Sequence, residues 1–125
     1  MPRPTNALVV DDEPHVRTFL RLVLKELGIE VKWEAANGAE ALDVLQGHSP
    51  ELVLLDLNMP LLGGLGVLER LQQLRPGTPA IIVTSQNALQ TVQDVARLGA
   101  VGYVLKQSPR DVMLRELRDA LDGLE

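Results

Sequence analysis

Short apolar runs alternate with longer amphipathic runs five times along this chain, and no other feature restricts its fold as much. The short runs are Ala7–Val10, Val31–Ala35, Leu52–Leu55, Ala80–Thr84 and Gly102–Leu105. Four are continuously apolar, the mark of strands buried on both faces. Val31-Lys32-Trp33-Glu34-Ala35 alternates instead, which predicts an edge strand with one wetter face. Between the strands the period lengthens to that of a helix. Val16, Phe19, Leu20, Val23, Leu24 and Leu27 form a wide stripe ended by Gly28. Ala39–Leu45 follows a turn at Asn37-Gly38, and Leu65, Leu68, Leu71 and Leu74 repeat before Pro76-Gly77. Leu89, Val92, Val95 and Ala96 share a face closed by Gly99, and Val112, Leu117 and Leu121 follow Pro109. Strands joined by helical crossovers run parallel, with right-handed connections. The pattern predicts a single α/β domain of (βα)5 form with a parallel five-stranded sheet.

Composition narrows the function. A chain of 125 residues suits one domain, here 1–125 with a core from about 6 to 121, and buries roughly 60–70% of its unfolded surface. It contains no cysteine, which removes disulfides, thiolate zinc sites and cysteine nucleophiles. Its net charge of −5 and only three aromatics (Phe19, Trp33, Tyr103) argue against direct nucleic-acid binding. No apolar run exceeds four residues, so no membrane span or signal peptide is expected, and a cytoplasmic location is. The sequence runs out soon after the fifth helix, so no DNA-binding or enzymatic output module is expected within it.

In parallel sheets of this kind, ligands collect at the carboxyl ends of the strands. Those ends carry Asp11-Asp12-Glu13, Asp56, Thr84-Ser85 and Lys106. Any one Asp after a strand reads as a turn or helix-capping residue. Several on one rim repel one another and require a neutralising partner, which also predicts a raised pKa for at least one of them. A hard divalent cation such as Mg2+ fits an all-oxygen set. His15 and His48 lie far apart in the pattern, which argues against zinc or copper. A cation beside a spare carboxylate and a lysine is equipment for phosphoryl transfer, in which an Asp oxygen attacks phosphorus. The Thr84 hydroxyl is placed to donate to the new phosphoryl group.

With these residues in view, the sequence resembles the receiver domains of two-component response regulators, from about Asn6 to Leu121. The resemblance is carried by Val9-Val10-Asp11-Asp12-Glu13-Pro14, Ala36-Asn37-Gly38-Ala39-Glu40-Ala41-Leu42, Leu54-Leu55-Asp56-Leu57-Asn58-Met59-Pro60 with Gly64, Val83-Thr84-Ser85 and Gly102-Tyr103-Val104-Leu105-Lys106. It implies a doubly wound, flavodoxin-like sheet in the order 2-1-3-4-5. It also implies Asp56 as phosphoacceptor, with Mg2+ (or Mn2+) held by Asp12, by Asp11 through a water, by Asp56 and by the Asn58 backbone carbonyl. Lys106 would pair with Asp56 and then with its phosphoryl group, while Thr84 and Tyr103 match the two switch positions. The implied partners are a histidine kinase or histidine phosphotransfer protein upstream and an unnamed target or output domain downstream. The implied catalysis is limited to the domain's own phosphorylation and dephosphorylation. The family usually has proline after the lysine, often cis, where this chain has Gln107; a cis bond before Gln costs ~2.5–4 kcal/mol, so trans is expected, with a less firmly held Lys106. Ser85 stands where a smaller residue is common.

Other features have plainer explanations. Arg17, Arg21 and Lys25 make a basic row that reads first as a solvated face and second as a docking stripe. Leu61-Leu62 reads as a packed turn, and Trp33 as packing at the sheet edge. Arg97, Arg110, Arg115 and Arg118 are candidate contacts on a surface formed by the fourth helix, fifth strand and fifth helix. A haloacid-dehalogenase-type phosphatase would need a second acid where this chain has Asn58. A phosphorylation-independent module would show erosion of the acids or the lysine, and neither common phosphate-binding glycine motif is present.

Overall fold

The computed structural model describes residues 3–85 and 89–124, so Met1, Pro2, Gln86, Asn87, Ala88 and Glu125 of the expected domain lie outside the described residues. Five strands, β1 (Asn6–Val10), β2 (Glu30–Ala35), β3 (Val53–Leu55), β4 (Ala80–Thr84) and β5 (Gly102–Leu105), alternate with five helices. The helices are α1 (Pro14–Glu26), α2 (Gly38–Gly47), α3 (Gly64–Leu74), α4 (Leu89–Arg97) and α5 (Arg110–Asp122). The sheet is parallel throughout, in the order β2-β1-β3-β4-β5. Among the described residues, no helix is long and apolar enough to cross a membrane.

Period-two alternation within the central strands sends side chains to two separate cores. Ala7, Val9, Leu54, Ile81 and Val83 meet Leu20, Val23 and Leu24 of α1 and Met113, Leu117 and Leu121 of α5. On the other face Leu8, Val10, Val53, Leu55 and Ile82 meet α2, α3 and α4 through Ala41, Leu45, Val67, Leu68, Leu71 and Val95. This is a doubly wound α/β sandwich, with helices covering both faces.

Three expectations about elements need correction. β5 reads as fully buried but forms the second sheet edge; it pairs only with β4, and Tyr103 and Leu105 are half-buried. In α3 the leucine repeat overstates the buried face, because a strict three-residue step drifts by about 60° per repeat on a helix with 3.6 residues per turn. Leu65 is therefore exposed while Gly64 and Val67 are buried. In α4 only Val95 is buried, and Leu89 is largely exposed.

Candidate functional site

The strand register assembles the site. Val10 of β1 pairs with Ala35 of β2 and with Leu55 of β3, so the next residues, Asp11 and Asp56, leave the sheet side by side. Their amides stay bonded to the sheet, Asp11 N–H to the Ala35 carbonyl and Asp56 N–H to the Val10 carbonyl, each at 3.0 Å. Across the sheet Thr84 pairs with Leu105, and the Lys106 amide donates to the Thr84 carbonyl at 2.9 Å. The Lys106 chain therefore starts from a fixed point on the same rim. After Asp56 the backbone doubles back so closely that a Cβ on Gly64 would sit 2.3 Å from the Asp56 carbonyl oxygen. Only glycine permits that approach.

Asp11 and Asp56 are buried charged groups, at 1% and 2% exposure. Lys106 Nζ answers both, 2.8 Å from Asp11 Oδ2 and 3.0 Å from Asp56 Oδ2. The Asp11 contact is an ion pair off the direction of a well-aligned hydrogen bond, whereas the Asp56 contact is a hydrogen bond. Asp11 Oδ1 accepts from the Glu13 amide at 2.9 Å, closing the turn into α1. Burial pushes the Asp11 carboxyl above its ordinary range against the pull of Lys106 and the Glu13 amide, and repulsion from Asp56 is the smallest contributor. The expected raised pKa is thus present, but dehydration rather than crowding is its main cause. For Lys106, burial alone would lower the pKa; its contacts with the Asp11, Asp56 and Glu13 carboxylates outweigh that effect and raise it above its ordinary value.

Asp12 is exposed, yet one carboxylate oxygen from each of Asp11, Asp12 and Asp56 lies within 4.8 Å of the others. The donor set is all oxygen, and Asp56 Oδ1 is buried with no hydrogen-bond partner among the described residues. Both properties suit a hard divalent cation. The Thr84 hydroxyl, fully buried at the end of β4, also lacks a partner among the described residues. Buried polar atoms of this kind call for an explanation in terms of what they bind. Asn58 is exposed in the loop after Asp56, and Tyr103 is half-buried on β5 against the core beneath α4, with burial raising its pKa.

Sequence reasoning put Glu13 on the rim without giving it a role. The structure brings its Oε1 to 3.1 Å from Lys106 Nζ, so three carboxylates share one ammonium. Position next to Asp12 was the available signal. The Lys106 side chain is 15% exposed and is held by all three acids. The described residues contain no cis peptide bond, and the Ser108 amide donates to the Leu105 carbonyl to close the turn after β5.

The plainer features divide. Arg17 and Arg21 both bind Glu34 on β2, so most of the basic row is a clamp between α1 and the sheet edge. Arg110 pairs with Glu26 of α1 and Arg97 with Asp94, leaving Arg115 and Arg118 as exposed positions on α5. Leu62 is half-buried, but Leu61 is 81% exposed, so the packed turn accounts for only one of the two. Trp33 packs on the core as expected and stacks at a tilt on His48.

Comparison with known proteins agrees with this geometry. The chain is 32% identical over 121 residues to the nitrate/nitrite response regulator protein NarL of Escherichia coli (strain K12), covering 96% of this chain and 56% of that protein. It is 35% identical over 114 residues to sporulation initiation phosphotransferase F of Bacillus subtilis (strain 168), covering 91% of this chain and 88% of that protein. In three dimensions it is similar to a chain of the CheX–CheY–BeF3–Mg2+ complex of Borrelia burgdorferi, with a TM-score of 0.86, 25% identity and coverage of 94% and 89%. Residues 7–118 match the response regulator receiver domain, the signalling module of two-component systems, and the chain belongs to that family.

Proposed function

We infer that this receiver domain accepts a phosphoryl group on Asp56. The observation that carries the inference is the buried Asp56 carboxylate, tied to Lys106 through Oδ2 and without a partner at Oδ1 among the described residues, with the Thr84 hydroxyl at the end of β4 equally without one there. A carboxylate oxygen of Asp56 attacks phosphorus, the bond from phosphorus to the donor's nitrogen breaks with its electron pair, and an acyl phosphate remains on Asp56. Lys106 neutralises phosphoryl oxygens, and Thr84 donates its hydroxyl hydrogen to one of them. Mg2+, or Mn2+ in its place, would be held by Asp11, Asp12, Asp56 and the Asn58 carbonyl. When bound, the cation supplies charge neutralisation and alignment of phosphoryl oxygens. The domain's own catalysis is confined to this transfer and to hydrolysis of the product.

The donor is a histidine kinase or a histidine phosphotransfer protein. Thr84 moving toward the phosphoryl group and Tyr103 turning inward behind it shift an existing equilibrium of the α4–β5–α5 surface. A downstream target or output domain reads that surface; the chain's acidic balance argues against nucleic acid as its direct partner. Incubation with phosphoramidate and Mg2+ followed by intact mass measurement tests the proposal. The expected result is one labile phosphoryl adduct on the wild-type chain, none with EDTA and none on Asp56→Asn. An adduct unaffected by Asp56→Asn contradicts it.

A further inference from the structure

Arg17 reaches the acidic rim from α1 without belonging to it. Its Nη1 donates to the Asp11 backbone carbonyl at 2.6 Å and its Nε to Glu34 Oε1 at 3.1 Å, and its side chain is 17% exposed. Glu34 is held from its other oxygen by Arg21 Nη2, while Arg21 Nη1 donates to the Val31 carbonyl at 3.0 Å. The anchor is therefore fixed to β2 and to α1 independently of the rim.

The Asp11 main chain is consequently held on both sides. Its amide is bonded to the Ala35 carbonyl of β2, and its carbonyl to Arg17. That carbonyl belongs to the peptide linking Asp11 to Asp12, so its orientation determines where the Asp12 side chain begins. Asp12 itself is exposed, and its carboxylate makes no hydrogen bond among the described residues, yet it lies within 4.8 Å of the oxygens of Asp11 and Asp56. Its placement therefore comes from its backbone.

We propose that Arg17 is a positioning residue for the cation site, holding the Asp11–Asp12 peptide so that the Asp12 carboxylate stays beside those of Asp11 and Asp56. The inference rests on the cation site proposed above. It differs from a merely structural clamp because Arg21 shares the Glu34 anchor but does not touch Asp11. Groups that orient metal ligands from outside the coordination sphere commonly alter affinity by about 10–100-fold.

Calorimetric titration of Mg2+ into the wild-type chain, Arg17→Met, Arg17→Lys and Arg21→Met tests it, with thermal melts of each in EDTA. Arg17→Met is expected to weaken Mg2+ binding roughly tenfold, with Arg17→Lys between it and the wild type. Arg21→Met is expected to lower the melting temperature while leaving Mg2+ affinity within about twofold. A change of about twofold or less in Arg17→Met, or an equal loss in Arg21→Met, overturns the proposal. If Arg17→Met does not fold, Arg17→Lys against Arg21→Lys decides by the same comparison. Absence of Mg2+ binding by the wild-type chain overturns the cation site itself, whereas equal binding by wild type and Arg17→Met overturns only the role of Arg17.

Discussion

Asp11 is a carboxylate that folding has dehydrated, and its raised pKa has a direction in stability. A raised folded-state value means the native state holds the proton more readily than the unfolded chain does. The penalty is present in full above the raised pKa and is relieved as pH falls toward the ordinary value of 3.8. Asp12 adds a further negative charge to the same rim, so Asp12→Asn is expected to raise the melting temperature in EDTA by lessening like-charge repulsion there. A cation at a hundredfold over its Kd should add about 2.7 kcal/mol to the wild type and nothing to Asp12→Asn. Melts of both proteins in EDTA and in excess Mg2+ check this; a lower EDTA melting temperature for Asp12→Asn contradicts it. Leu61 has the one positive φ (71°) of any non-glycine among the described residues, and it is largely exposed. Leu61→Gly relieves the left-handed conformation at little cost in burial and is expected to stabilise the fold by about 0.5–1 kcal/mol in urea titrations. A raised pKa on the acidic rim was legible beforehand, but its main cause, dehydration of Asp11, was not, and neither was the exposure of Leu61. Asp11, Asp56 and Lys106 could be placed on one rim because strand ends fix their positions. The Glu13 and Arg17 contacts depend on how side chains cross between elements, which spacing does not encode.

Among the elements, the α1–β2 clamp offers a pH test with the opposite sign. Hydrogen bonding from Arg21 holds the Glu34 carboxyl below its ordinary value of 4.5, against the effect of burial, with Arg17 adding to the pull. The stability it contributes is present above the ordinary value and is lost as pH falls through the depressed one. Glu34→Gln should be less stable than wild type by about 1 kcal/mol near neutral pH, with the difference vanishing in acid. Denaturant titrations across that range measure it. The strands and helices themselves were legible because five period changes are hard to produce otherwise, and both ends of β4 and β5 fall where the apolar runs do. What was not legible was which face a short run presents. The run Gly102–Leu105 is too short to show alternation, and α3's buried side depends on Gly64 and Val67 as well as its leucines. Gly64→Ala should confirm how tightly α3 is seated, since the added methyl meets backbone 2.3 Å away; a loss of several degrees in melting temperature is expected.

For the molecule as a whole, the two cores are apolar, while the buried Asp56 and Thr84 oxygens that lack a partner among the described residues stand at the carboxyl end of the sheet. Three of the residues with buried, unpartnered side-chain atoms among the described residues, Asp11, Asp56 and Thr84, stand where β1, β3 and β4 end. The central claim is that Asp56 is the residue phosphorylated, with Asp11 and Asp12 reserved for the cation. An acyl phosphate is reduced by borohydride to an alcohol, which converts a phosphorylated aspartate into homoserine and marks it permanently. Treating the chain with phosphoramidate and Mg2+, then borohydride, and sequencing the peptides by mass spectrometry reads the site directly. The account predicts homoserine at position 56 and intact aspartate at 11 and 12. Homoserine at 11 or 12, or none anywhere despite a measured phosphoryl adduct, would contradict it.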